Sequence, residues 1–139
     1  MLDSGPLGKL AHHSPKPEIV AWYRGLRDAR IEIILPEVVD YEIRRSLLLH
    51  NLADSIDELD RLHGEMTFLP ITSSTMLRAA GLWADVRKRG KSTADLKELD
   101  CDAILAAQAL EAGAIVATEN VGHLERYVTA KDWRKIIVA

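Results

Sequence analysis

The apolar residues of this chain recur at two spacings. Over residues 18–29 they return at the spacing of one helix face, which predicts an amphipathic helix, whereas 31–35 is a short β-branched run that predicts a strand. A second helical pattern follows over 36–50. Helices that alternate in this way with short apolar strands are typical of an α/β domain with a parallel sheet.

The same alternation extends to both ends of the chain. The predicted strands are 1–3, 31–35, 67–71, 114–118 and 136–138, and the predicted helices are 18–29, 36–50, 52–66, 73 to about 89, and 100–112, with one more helix after the first strand. The polar segment 90–98 is predicted to be a loop. With 139 residues and no internal repeat, the chain is expected to form a single domain, 1–139.

The stretch 99–113, LDCDAILAAQALEAG, is the most informative part of this pattern. Asp100 and Asp102 open a helix that is otherwise mostly Ala, Ile and Leu, so the helix is expected to be buried on more than one face. The unpaired N–H groups and the dipole at a helix start favour negative charge. The two acids are therefore either helix-start residues or members of a site.

Chain connectivity brings further polar residues to the same place. Ligands bind at the carboxyl edge of a parallel sheet, where Asp3 ends the first predicted strand and Asn120 follows the fourth. Glu42 lies within roughly two turns of the start of the helix after strand two. The residues expected to meet at this edge are Asp3, Glu42, Asp102 and Asn120. Asp100 is near enough either to join them or to cap its helix.

Carboxylates gathered at one edge repel each other unless a divalent cation lies between them. Oxygen ligands without a His or Cys partner suit Mg²⁺ or Mn²⁺ rather than zinc. Such ions neutralise charge that develops on a phosphoryl oxygen, so the cluster predicts a metal-dependent enzyme that hydrolyses phosphodiesters. The expected metal ligands are Asp3, Glu42, Asp102 and Asp100, and the expected catalytic set is Asp3, Glu42, Asp102 and Asn120.

Simpler interpretations remain open for the single residues. Asp3 can begin a turn with Ser4 and Gly5, and Glu42 can lie at a helix flank with its carboxylate in water. The convergence of distant positions favours the site, because each simpler interpretation explains only one residue.

Composition narrows the setting. The formal net charge of −3 excludes a strongly basic protein that binds nucleic acid over its whole surface, but it permits a local contact with RNA. Cys101 is the only cysteine, which excludes an internal disulfide and fits a reducing cytoplasm. There is no run of about 18 apolar residues and no charged-then-apolar leader, so neither a membrane span nor a signal peptide is expected.

Four segments resemble the PIN-domain ribonucleases, in particular the VapC-type toxins of toxin–antitoxin pairs. They are LDSGPLG at 2–8, YEIRR at 41–45, DAILAAQAL at 102–110 and ATEN at 117–120, in the order and spacing of the family. The resemblance implies a three-layer α/β/α fold with a central parallel sheet of four to five strands, and Mg²⁺- or Mn²⁺-dependent cleavage of RNA. It also implies a small antitoxin protein as a partner and a homodimer, for which the paired helices 36–50 and 52–66 are a candidate surface.

The match to the family pattern is incomplete at the last motif. In family terms Asp3, Glu42 and Asp102 resemble the three acidic ligands, whereas Asn120 stands where a fourth acid is frequent and His123 where another Asp is common. A neutral amide can still orient a water, but it removes one charge from the site. The alternative is therefore a catalytically inactive PIN-like module that binds RNA or protein.

A second departure concerns the first strand. Only Met1 and Leu2 precede Asp3, whereas members of the family usually carry several apolar residues there. We therefore expect the native protein to begin a few residues upstream.

Overall fold

The structure is a computed structural model that describes residues 1–90 and 96–138. Helices and short strands alternate along it. In chain order the elements are α1 Ser4–Leu10, α2 Pro17–Asp28, β1 Ile34–Pro36, α3 Glu37–Leu49, α4 Ala53–Glu65, β2 Thr67–Leu69, α5 Ser73–Lys88, α6 Leu96–Ala112, β3 Val116–Thr118, α7 Val121–Leu124, β4 Ala130–Asp132 and a 3₁₀ turn Trp133–Lys135. The mixed α/β class predicted from the sequence is confirmed.

The strands form two parallel pairs, β1 with β2 and β3 with β4. Residues 1–3 are hydrogen-bonded to both pairs. The Leu2 N–H donates to the Ile34 carbonyl at 3.0 Å, and the Ala117 N–H donates to the Met1 carbonyl at 2.9 Å. The expected central sheet of four to five strands is thus represented by two short two-stranded sheets that the amino-terminal residues connect.

Helix α6 lies in the main apolar core, as its composition predicts. Leu105, Ala106 and Ala109 are buried there together with residues from β1 and β3. The side chain of Gln108 is fully buried within this helix and connects two neighbours. Its Oε1 accepts from the Val38 N–H at 3.4 Å, and its Nε2 donates to the Leu69 carbonyl at 2.8 Å. This polar contact fixes α6 against α3 and β2, which sets the depth of Asp102 in the fold.

The predicted start of α6 at residue 100 is wrong. The helix begins at Leu96, four residues earlier, so Asp100 lies beyond its first turn. Lys97 and Glu98 are good helix formers, and they extend the helix into the segment expected to be a loop. The rest of that expected loop, residues 91–95, lies outside the described residues. Neither Asp100 nor Asp102 therefore caps this helix.

The predicted strand at 136–138 is also wrong. The strand beside β3 is β4, Ala130–Asp132, and residues 136–138 follow the 3₁₀ turn. Lys131 and Asp132 have poor strand propensity, but pairing with the buried β3 overrides it. The Ile136 carbonyl instead accepts from the Trp22 Nε1 at 3.2 Å.

In the described part of the chain, no helix is both long and apolar enough to span a membrane.

Candidate active site

A cavity of about 280 Å³ lies at the carboxyl ends of β3 and of the amino-terminal segment. Its lining comes from α1, α3, α6 and the start of α7, so chain segments that are far apart in sequence meet there. The lining residues are Asp3, Ser4, Gly5, Glu42, Asp102, Glu119, Asn120 and His123. The four residues expected to converge, Asp3, Glu42, Asp102 and Asn120, are all in this set.

Asp3 is buried and held by two hydrogen bonds. Its Oδ1 accepts from the Ser4 N–H at 2.7 Å, so the residue caps α1 in addition to lining the cavity. Its Oδ2 accepts from the Thr118 hydroxyl at 2.6 Å. Only 8% of Asp3 is exposed, and both of its carboxylate oxygens accept a hydrogen bond. In place of the turn considered for Asp3, Ser4 and Gly5 begin α1, and the capping role of Asp3 is compatible with a role in the site.

Thr118 connects Asp3 to the last motif. The Asn120 backbone N–H donates to the Thr118 Oγ1 at 2.9 Å, and the hydroxyl hydrogen is used toward Asp3. Thr118 is fully buried at the end of β3. The strand therefore positions Asn120 relative to Asp3 through one hydroxyl group.

Glu42 and Asp102 contribute negative charge to the cavity from two further elements, α3 and α6. Both side chains are half-buried and both make contacts. The negative charges of Glu42 and Asp102 act on the neighbouring thiol of Cys101. Burial, and after it the Glu42 carboxylate, raises the pKa of Cys101 to about 11. A thiol with a raised pKa is a poor nucleophile, so Cys101 is not a reactive thiolate.

Asp100 is not brought to the cavity. Its side chain is exposed, and it does not belong to the lining. Because both residues lie within α6 and are two positions apart, Asp100 and Asp102 lie about 200° apart around the helix and face different surroundings.

Glu119 is a site residue that sequence reasoning missed. It forms an ion pair with Lys9, and its Oε1 also accepts from the Trp133 Nε1 at 3.0 Å. The Lys9 ammonium holds the pKa of Glu119 below its usual range. A Cβ atom on Gly5 would lie 3.0 Å from the Glu119 Oε2, so glycine leaves room for this side chain. The position of Glu119 beside Asn120 was the only signal available, since its partners are distant in sequence.

Arg44 of α3 forms ion pairs within the protein. Arg44 donates to both carboxylate oxygens of Asp40 at 2.8 and 3.1 Å, and it lies 2.8 Å from Asp60 of α4. This pairing explains why Asp40 is buried while charged, and it ties α3 to α4. Arg45 lies over the Tyr41 ring, 5.0 Å from its centroid.

The donor chemistry of the cavity suits a hard divalent cation, because Asp3, Glu42 and Asp102 all offer carboxylate oxygens. Within residues 1–90 and 96–138, however, no three His, Cys, Asp or Glu side chains stand close enough together to hold a metal ion. Joint coordination would therefore require rotation of the side chains from these positions.

This chain combines an α/β fold with an acid-lined cavity at the carboxyl ends of its strands, and this combination is typical of a class of small domains. The PIN domain family model matches residues 1–128, and this chain belongs to that family, whose members are generally nucleases. The predicted family membership is confirmed. No curated protein matches the chain significantly.

Among solved structures, the fold is similar to that of FitAcB from Neisseria gonorrhoeae. The TM-score is 0.72 at 21% sequence identity, and the match covers 97% of this chain and 98% of the other. At this identity the likeness concerns the fold.

Proposed function

We propose that this protein is a Mg²⁺- or Mn²⁺-dependent endoribonuclease that hydrolyses RNA phosphodiester bonds, and that it is the toxin of a toxin–antitoxin pair. One observation carries the proposal. Asp3, Glu42 and Asp102, from three distant segments of a PIN-family chain, line a single cavity.

In this proposal Asp3, Glu42 and Asp102 hold the cation, after a change of side-chain rotamer in the bound state. A divalent ion would supply positive charge toward the scissile phosphate and would make a water more acidic. The Asp3 carboxylate keeps its place because Ser4 and Thr118 donate to it. Asn120 can accept from a water through its carboxamide oxygen, since its amide nitrogen is engaged with His123.

The cation also resolves an electrostatic conflict. A cavity lined by four acidic side chains repels a phosphate, and the neighbouring Lys9 is paired with Glu119. RNA binding to this cavity should therefore depend on a divalent cation.

The proposed partners are a small antitoxin protein, as the family resemblance implies, and a second copy of this chain. The helix pair α3 and α4 presents apolar side chains to solvent, with Leu48 58%, Leu49 75% and Leu52 45% exposed. These residues are the candidate surface for the homodimer.

The decisive experiment is cleavage of a mixed pool of single-stranded and transfer RNA with Mg²⁺ or Mn²⁺. Wild type should cut, Asp102→Asn should lose at least about 100-fold in rate, and the exposed Asp57→Asn should behave as wild type. All three proteins are first shown to be folded by circular dichroism.

Equal cutting by wild type and Asp102→Asn would contradict the proposal and indicate contamination. No cutting by folded wild type would favour the inactive binding module instead. The cation can be examined separately by thermal unfolding, where Mn²⁺ should raise the Tm of wild type but not that of Asp102→Asn.

A further inference from the structure

His123 lines the acidic cavity and is fixed to Asn120. The His123 backbone N–H donates to the Asn120 carbonyl at 3.2 Å, and the Asn120 Nδ2 lies 2.9 Å from the His123 Nδ1. The Arg126 Nε donates to the His123 carbonyl at 3.0 Å. Backbone and ring are therefore both held beside the carboxylates of the cavity.

The orientation of the Asn120 amide, whose nitrogen faces the ring, assigns the tautomer of His123. An amide nitrogen can donate but cannot accept, so Nδ1 accepts and the proton of the neutral ring is on Nε2. Nε2 is then a donor in the neutral and in the charged imidazole alike. A series of hydrogen bonds from Asp3 through Thr118 to Asn120 positions this donor relative to the acidic cluster.

We infer that His123 is a substrate-positioning residue whose Nε2–H donates to a non-bridging phosphate oxygen of RNA in the acidic cavity. The inference rests on the proposed ribonuclease function and deepens it. The carboxylates of Asp3, Glu42 and Asp102 only accept, so a phosphate beside them needs a donor as well as a cation. Lys9 does not supply it in this structure, since it is paired with Glu119.

The amide at position 120 and the imidazole at position 123 act together in this arrangement. An Asp at position 120 would accept from Nδ1–H, so the neutral ring would present Nε2 as an acceptor, which cannot donate to a phosphate oxygen. For the neutral imidazole, the residue type at position 120 thus determines whether Nε2 can donate to the substrate.

The tautomer can be measured without any substrate. Long-range ¹H–¹⁵N NMR of the histidine rings at pH 8 should show His123 in the Nε2–H form in wild type and in the Nδ1–H form in Asn120→Asp. His50, which is exposed at the end of α3, serves as the internal reference. An Nδ1–H ring at His123 in wild type would overturn the inference.

The substrate contact is measured by fluorescence anisotropy with a single-stranded RNA and Ca²⁺, which allows binding to be followed without turnover. His123→Gln places an amide donor near the Nε2 position and should bind within about twofold of wild type. His123→Asn reaches only the Nδ1 position and should bind about tenfold more weakly. The control His50→Asn should have no effect.

The outcomes separate this inference from the function on which it rests. Equal weakening by His123→Gln and His123→Asn would overturn the donor role, even if the protein cleaves RNA. Failure of folded wild type to bind RNA would overturn the proposed function and the phosphate contact together, whatever the tautomer.

Discussion

The two ends of the parallel strands carry cavities of opposite character. The cavity at the amino ends of β1 and β3 has a volume of about 630 Å³ and is lined mainly by apolar residues, among them Leu2, Trp22, Leu26 and Ile34. The cavity at the carboxyl ends measures about 280 Å³ and is lined by four acidic side chains. The larger cavity is thus an apolar groove that borders the core, whereas the acidic side chains line the smaller one.

This difference shows that connectivity rather than size locates the candidate site. A chain that leaves each strand at its carboxyl end begins its next helix there, so polar residues just after the strands gather at that edge. Residues before the strands at the other edge continue the apolar core. The two cavities should therefore respond differently to mutation, one in activity and the other in stability.

The largest effect is expected from Asp3→Asn at the acidic cavity. The substitution keeps the size of the side chain and one acceptor, so the free energy of unfolding should change by no more than about 1 kcal/mol. Because one of the three proposed cation ligands loses its charge, RNA cleavage should fall at least about 100-fold. Initial rates and urea unfolding measure the two quantities. Full activity in a folded Asp3→Asn protein would remove Asp3 from the site.

Leu26→Ala tests the apolar cavity, where we expect a loss of stability rather than of activity. Leu26 is buried beside this cavity, so its truncation enlarges an existing void and should cost about 2–4 kcal/mol of unfolding free energy. The increase in Tm caused by Mn²⁺ should remain as in wild type. Loss of that response, with the protein still folded, would mean that the two ends of the strands are coupled.

Thr118→Val tests whether one hydroxyl group contributes both to the stability of the fold and to the positioning of the candidate site. Valine matches the shape of threonine but lacks the hydroxyl that donates to Asp3 and accepts from Asn120. We expect a loss of about 1–3 kcal/mol in stability and about tenfold weaker cleavage. Thr129→Val, at an exposed position, is the control. Unchanged kinetics would show that the hydroxyl stabilises the fold without positioning the site.

The convergence of the four residues could be predicted because it depends on strand order alone. Asp3 and Asn120 adjoin strands whose apolar runs are visible in the sequence, and Glu42 and Asp102 lie in helices next to that edge. The start of α6 and the position of β4 were not predicted correctly from the sequence. The position of β4 depends on a tertiary contact that overrides local propensity, since Lys131 pairs with β3. The helix propensity of Lys97 and Glu98 favours the earlier start of α6, but their polar character had indicated a loop.

Of two ion pairs near the site, only one could be predicted from the sequence. Glu119 pairs with Lys9 from α1, more than a hundred positions away, whereas Arg44 and Asp40 are four residues apart in one helix. The second pair follows from helical spacing and the first does not. Residue type alone therefore could not decide which acids face the cavity.

The amino ends of the strands carry a polar cluster as well, and it should act on stability alone. The hydroxyl of Tyr23 donates to Glu65 at 3.0 Å, and burial, followed by this carboxylate, raises the pKa of Tyr23 to about 12. An unfolded tyrosine ionises at about pH 10. Between pH 10 and 12 the folded state retains a proton that the unfolded state has lost, so stability should fall as pH rises.

The size of this effect is about 1–2 kcal/mol across that pH range. Tyr23→Phe should lose about 1 kcal/mol at pH 7 but should show a shallower decline above pH 10 than wild type. Urea unfolding at pH 8, 10 and 11 measures both slopes, with the exposed Tyr41→Phe as control. Parallel pH profiles for wild type and Tyr23→Phe would contradict the assignment of the raised pKa to Tyr23. A change in RNA cleavage at pH 7 would show that the polar cluster at the amino ends of the strands also affects activity.

The smallest effect is expected from Asp100→Asn, and it defines the boundary of the acidic cavity. Asp100 is two residues from Asp102, yet it is exposed and outside the lining because it lies on a different face of α6. Removal of its charge should leave cleavage and the Mn²⁺-induced increase in Tm within about twofold of wild type, since the Asp100 carboxylate is exposed to water and does not line the cavity. Asp102→Asn, measured beside it, should lose both. A loss of cation binding in Asp100→Asn comparable to that in Asp102→Asn would mean that α6 turns in the bound state, so that the sequence-based assignment of Asp100 as a ligand holds after all.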